Sequence, residues 1–202
     1  MIVDITPFHF FAIVCGYFIG SVPFGLVLMR LTRKDDIRKI GSGNIGATNV
    51  LRTGNKTLAL ATLLLDSGKG AAAALTLGYF DPWAGLIGGG FSVIGHNFPV
   101  WLKFRGGKGV ATTLGVMIAL AWPVGIAVCT TWILTVSLFR ISSLAALVAL
   151  TISPIYAWWL TDDPGVTVLA SLLAILSLLR HHENITRLMK GQETKIGNSK
   201  KT

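Results

Sequence analysis

Charge is scarce in this sequence of 202 residues: 13% of positions are Asp, Glu, Lys or Arg, against about 25% in a typical soluble domain. Cysteine is scarce too. Cys15 and Cys129 both fall inside apolar runs, which argues against a disulfide framework or a thiolate metal site and leaves them as small hydrophobes. So little polar surface cannot cover a water-soluble domain of this length. What is present instead is a 52% hydrophobic composition with a mean hydropathy of +0.65, gathered into long runs. Runs of that kind are solvated by lipid.

A helix needs about 20 apolar residues to cross roughly 30 Å of hydrocarbon. Seven segments qualify or nearly do: 8–29, 57–79, 83–101, 109–121, 123–139, 142–160 and 165–180. The stretch 109–139 reads as two short helices turning at Pro123, because one helix would rise about 46 Å and the residue before proline resists the α region. Trp122 is thereby placed at an interface, where tryptophan is enriched. The first run lacks the basic n-region of a secretory signal: Asp4 precedes it, and Arg30, Arg33 and Lys34 follow it. Residues 8–29 are therefore expected to be a retained span.

The charge that exists is one-sided, with 18 Lys and Arg against 9 Asp and Glu. With seven spans, segments 30–56, 102–108, Arg140 and 181–202 share one side and hold seven, three, one and five of the basic residues. Arg180 ends the last span on that side, and Lys69 alone lies within a span. The opposite connections carry no Lys or Arg and four acidic residues. Basic loops stay in the cytoplasm, so the expected fold is all-α and polytopic, with seven transmembrane helices, the N-terminus outside and the C-terminus cytoplasmic. Basic residues split among short loops also argue against a nucleic-acid partner. Residues 1–193 read as one membrane-embedded domain and 194–202 as a disordered basic tail.

Three segments on the basic side could carry chemistry. In the first, Gly41, Gly43 and Gly46 let backbone N–H groups converge on an anion. Ser42, Asn44, Thr48 and Asn49 add hydrogen-bond donors there, and Arg52 adds a planar fork suited to phosphate; the competing reading is a flexible connector. In the second, Gly95-His96-Asn97-Phe98-Pro99 leads to Lys103, Arg105 and Gly106-Gly107-Lys108-Gly109, which open the next helix. Helix N-termini favour anions, whereas lipid headgroups would explain the cations but not the glycines. In the third, His181, Asn184 and Arg187 share one helix face. Asp66 and Lys69, an i, i+3 pair inside a span, are either a mutual ion pair or substrate contacts. Ser142 and Ser143 cap a helix or face a phosphate.

Taken in order, these segments resemble the three motifs of the bacterial acyl-phosphate:glycerol-3-phosphate acyltransferases, the PlsY-type family. The resemblance rests on Gly41-Ser42-Gly43-Asn44-x-Gly46-Ala47-Thr48-Asn49, on Gly95-His96 through Thr112, and on Arg180-His181-x-x-Asn184-Ile185 with Arg187 and Gly191-x-Glu193. Leu65-Asp66-x-x-Lys69-Gly70 also fits. It implies transfer of a fatty acyl group from acyl phosphate to the 1-hydroxyl of glycerol 3-phosphate, giving 1-acylglycerol 3-phosphate and phosphate. No cofactor, metal or coenzyme A is implied, and the enzyme is expected to work as a monomer in the bacterial cytoplasmic membrane, with its site facing the cytoplasm. Catalytic roles are expected for Ser42, Lys108, His181 and Asn184. Substrate contacts are expected from Gly43, Asn44, Gly46, Thr48, Asn49, Arg52, Lys69, His96, Lys103, Gly106, Gly107, Gly109, Ser142, Ser143 and Arg187. The His-x4-Asp type of acyltransferase is excluded, since none of the four histidines has Asp five positions later. A transporter would need polar residues along several spans and on both faces; the acidic side here is nearly featureless.

Overall fold

The computed structural model describes residues 4–32 and 36–197; Arg33, Lys34, Lys200 and Lys201, whose expected role is to set orientation, lie outside them. Every α or 3-10 element is helical, with no strand among the described residues. The α-helices are α1 (Pro7–Ser21), α2 (Phe24–Leu31), α3 (Ala47–Arg52), α4 (Lys56–Gly78), α5 (Pro82–Asn97), α6 (Val110–Leu120), α7 (Trp122–Phe139), α8 (Ser142–Leu160), α9 (Pro164–Arg180) and α10 (His182–Met189).

The first expected span is interrupted. Pro23 disfavours an α conformation at Val22, which is extended, so α1 and α2 are separate helices. The break frees the Val22 carbonyl, and Lys69 Nζ donates to it at 2.7 Å. The 83–101 span also stops early, at Asn97, with Phe98 in a non-helical conformation just ahead of Pro99. Between α6 and α7 the turn falls at Ala121 (φ −150°, ψ 82°) rather than at Pro123. Proline is tolerated there because first-turn N–H groups have no helical partner to lose. Trp122, 67% exposed, opens α7.

Asp81 and Asp163 cap α5 and α9 by accepting from the N–H groups of Ala84 and Gly165, each at 2.8 Å, so the Asp-Pro pairs are helix starts. Small residues bring helices close: a Cβ on Gly16 or Gly20 of α1 would strike the α5 backbone at Gly88 or Ser92, and one on Gly115 of α6 would strike Ser67 of α4. Such contacts hold helices together in lipid, where burial of apolar surface supplies little drive. One core of Val116, Met117, Val124, Val128, Leu150 and Leu173 lies among α6, α7, α8 and α9. Large hydrophobics such as Phe10, Leu64, Leu138 and Trp158 point outward, as lipid contact requires. Four helical segments are long and apolar enough to cross a membrane, and a fifth is if α9 and α10, bent by 63°, count together. Helix α6, with 11 residues, rises about 16 Å, roughly half the hydrocarbon core.

Candidate active site

Hydrogen bonds tie the four basic segments together at one end of the bundle. Thr48 Oγ1 lies 3.1 Å from Ser142 Oγ, Arg180 donates to the Gly107 carbonyl at 3.0 Å, Arg52 donates to Thr194 Oγ1 at 2.7 Å, and the Ile196 N–H donates to the Arg140 carbonyl at 2.7 Å. At the opposite end His9 meets Asp81 at 3.3 Å. Thr194 and Ile196, expected in a disordered tail, are thus held against the fold; 198–202 lie outside the described residues.

The first motif folds around Asn49. Gly41 (φ 56°) and Gly43 (φ 68°) take left-handed conformations open to glycine. Inside the loop, Asn49 Nδ2 donates to the carbonyls of Ile37, Ile40 and Asn44 at 2.8–2.9 Å, and its Oδ1 accepts from Ser42 N–H at 3.2 Å. Asn49 is therefore the loop's internal brace, its amide spent on the backbone rather than free for phosphate. What the brace presents to the central cavity is Ser42, Asn44, Thr48 and Arg52.

The second motif explains its glycines differently from the sequence reading. The N–H groups of Gly106 and Gly107 donate to the carbonyls of Asn97 and His96, each at 3.1 Å. A Cβ on Gly107 would land on the His96 ring. The close approach these glycines permit is to the end of α5, not to an anion, and neither lines the cavity. Gly109 (φ 76°) then starts α6 and directs Lys108 into the cavity.

In the third motif the chain bends between α9 and α10, leaving His181 2% exposed at the junction. Its Nδ1 lies 2.8 Å from the Ser177 carbonyl. A carbonyl only accepts, so Nδ1 carries the proton and Nε2 is the free nitrogen of the neutral ring. Asn184 Oδ1 accepts from Lys108 Nζ, and its Nδ2 donates to Glu193 Oε1 at 2.7 Å. Ser143 Oγ donates to the same oxygen at 2.9 Å, and Arg187 Nε to Oε2 at 2.6 Å.

Burial pushes the Lys108 ammonium down to about 8, with Glu193 pulling the other way and Arg187 reinforcing the drop. Burial would raise the Glu193 carboxyl, but hydrogen bonds from Arg187, Asn184 and Ser143 prevail and hold it below the usual range.

These groups surround one end of a cavity of about 490 Å³. Of the expected site residues, Ser42, Asn44, Gly46, Thr48, Asn49, Arg52, His96, Lys108, Gly109, Ser142, Ser143, His181 and Asn184 line it. Gly43, Gly106, Gly107, Lys69, Lys103 and Arg187 do not. Lys69 is buried and bonded to Val22, Asp66 and His96. Lys103 is exposed, in a left-handed turn (φ 52°). Arg187 bears on the cavity through its bond to Glu193 and its charge near Lys108. Three charged lining residues missing from the expected set are Lys56, Glu193 and Asp66. Glu193 and Asp66 stand in the motifs quoted above, but nothing in the sequence shows Glu193 folding back onto Asn184 and Ser143.

Leu60, Leu63, Leu114, Cys129, Trp132 and Ile133 make the other walls apolar. A cavity cationic and hydrogen-bonding at one end and apolar along the rest suits an amphiphile with an anionic head. No group of three His, Cys, Asp or Glu converges as a metal site among the described residues.

The model of the glycerol-3-phosphate acyltransferase family matches residues 10–191. Glycerol-3-phosphate acyltransferases of Rhodospirillum rubrum and Paramagnetospirillum magneticum are 60% and 57% identical over 92% and 93% of this chain, and over 90% and 93% of their own lengths. The fold matches crystal structures of PlsY, an integral membrane glycerol 3-phosphate acyltransferase. Its glycerol 3-phosphate form has a TM-score of 0.89 at 35% identity, covering 94% of this chain and 96% of that one. Its lysophosphatidic acid form has a TM-score of 0.87 at 34% identity, covering 94% and 95%. The first two motifs and the third as far as Gly191 fall within the matched residues, and the chain belongs to the glycerol-3-phosphate acyltransferase family, PlsY type.

Proposed function

We propose that this protein acylates glycerol 3-phosphate with acyl phosphate as donor, yielding 1-acylglycerol 3-phosphate and inorganic phosphate. The observation that carries this reading is the two-character cavity: Lys108, Arg52, Asn184 and four hydroxyl side chains gather at one end, and apolar walls run away from them. Two phosphate-bearing substrates need such a head end, and an acyl tail needs the rest.

The glycerol 1-hydroxyl oxygen attacks the acyl carbonyl carbon, a new ester C–O bond forms, and the bond to the bridging oxygen breaks. Phosphate departs with that oxygen and the electron pair. The hydroxyl proton passes to His181 Nε2 or to a phosphoryl oxygen; wild-type turnover in His181→Ala would eliminate the histidine as base. Lys108 supplies positive charge where the oxyanion and leaving phosphate develop. Acyl phosphate is already activated, so positioning and charge suffice.

Direct transfer fits better than an acyl-serine intermediate. Among the described residues no hydrogen bond reaches the Ser42 hydroxyl. Ser143 does donate to Glu193, but that carboxylate is engaged by Arg187 and Asn184 and is a weak base.

The reading extends to seven spans within one domain, a monomer in the bacterial inner membrane, and a site opening to the cytoplasm. Its support is the meeting of all four basic segments at the cavity's polar end. The test of the donor is phosphate release by purified protein given glycerol 3-phosphate with palmitoyl phosphate or with palmitoyl-coenzyme A. Release with the first and no turnover with the second is expected; the reverse would redirect the assignment.

A further inference from the structure

Asp66, Lys69 and His96 form an ionisable cluster deep among the helices, at 1%, 5% and 5% exposure. The reaction as proposed above uses none of them. Such groups are costly inside a membrane protein and survive there when a function requires them. Lys69 Nζ makes three contacts: the Val22 carbonyl at 2.7 Å, Asp66 Oδ1 at 2.8 Å and His96 Nδ1 at 2.9 Å. An ammonium has three hydrogens and accepts nothing. Carbonyl and carboxylate each take one, so the third goes to His96 Nδ1, which must be the lone-pair nitrogen. Asp66 is 3.6 Å from that nitrogen, too far to compete. The ring is therefore neutral with its proton on Nε2, the reverse of His181.

That Nε2–H has no hydrogen-bond partner among the described residues, and His96 lines the same cavity as Lys108 and Gly109. Gly107 packs against this edge of the ring, where a Cβ would sit on Nε2. Packing alone would explain a glycine. It would not explain a buried ion pair arranged to leave a ring donor unpaired at the cavity wall.

We propose that Asp66 and Lys69 are positioning residues that fix the His96 tautomer, so that Nε2–H donates to a substrate phosphoryl oxygen next to Lys108. This rests on the reading that the cavity binds phosphate-bearing substrates. The Asp66–Lys69 pair thus acts on the substrate through His96, while Asp66 also lines the cavity.

The test uses the full-length protein in detergent, with ¹⁵N-labelled histidine and the His96 signals assigned by their loss in His96→Gln. The expected spectrum shows Nε2 protonated and Nδ1 bare, with the Nε2–H resonance moving when glycerol 3-phosphate or inorganic phosphate is added. His96→Leu, which has no donor, is expected to lose about 10- to 100-fold in kcat/KM, the scale of a hydrogen bond to a charged group. His96→Gln, which can place an N–H near Nε2, recovers several-fold over His96→Leu. The KM that rises, for acyl phosphate or for glycerol 3-phosphate, identifies which phosphoryl group is bound. Lys69→Met is expected to release the tautomer and lower activity together. A proton on Nδ1 in the wild type, an Nε2–H signal indifferent to phosphate, or His96→Gln no better than His96→Leu would each overturn the inference. Wild-type protein inert toward both substrates would instead count against the proposed function, and the spectra would still decide the tautomer.

Discussion

At the residue scale, the site depends on how few polar groups are left unspent. Asn49 is consumed by its own loop, Glu193 by Arg187, Asn184 and Ser143, and Lys69 by its three partners. Lys108 is the cation delivered into the cavity by a turn that only a left-handed glycine makes easily. Its burial-lowered value of about 8 has a kinetic consequence. The ammonium is charged below that pH and is lost as pH rises through it, so kcat/KM for glycerol 3-phosphate should fall over that range in a pH–rate profile. Lys108→Arg should abolish that limb even where it lowers the rate, because a guanidinium stays protonated. An unchanged limb in the arginine variant would assign it to another group.

At the element scale, helix contacts through glycine set where the motifs stand. Gly115 lets α6 lie on α4 at Ser67, whereas Gly68, one position further along α4, faces outward with nothing within 4 Å of a built Cβ. The same substitution should therefore have opposite signs. Gly115→Ala should destabilise by about 1–3 kcal/mol through overpacking against backbone. Gly68→Ala should be neutral or stabilise by up to about 1 kcal/mol, since alanine loses less freedom in a helix. Thermal unfolding midpoints of the two variants in one detergent would separate them. The helices themselves were legible from apolar runs, whereas the Asp-Pro pairs, read from the sequence only as connections, show themselves as helix starts in the structure. The helix ends were less legible, because the stops at Ser21, Asn97 and Leu120 depend on local φ/ψ choices around Val22, Phe98 and Ala121 that the apolar pattern does not encode. The glycines of the second motif were legible as a close approach, but their partner, the His96–Asn97 end of α5, is visible only once the loop folds back.

For the whole molecule, one-sided charge and the order of the three motifs announced a single functional end. The tertiary contacts bring the basic segments together at one end, joining Arg52 to Thr194, Lys108 to Asn184 and Arg140 to Ile196. Glu193 was quoted in a motif yet absent from the expected site, because its role exists only through the bend between α9 and α10. If the basic end is cytoplasmic, a cysteine placed at Lys195 should react with a membrane-impermeant maleimide in inverted vesicles and not in intact spheroplasts. Labelling in the spheroplasts would reverse the orientation. The most direct test of acyl transfer at the Lys108–Asn184 end is the 1-acylglycerol 3-phosphate formed from palmitoyl phosphate and glycerol 3-phosphate by wild type and Lys108→Met, quantified by mass spectrometry. The wild type should make the product, and the variant, with an unfolding midpoint near that of the wild type, at least about 100-fold less; an inert wild type, or a variant that keeps pace with it, would contradict the account.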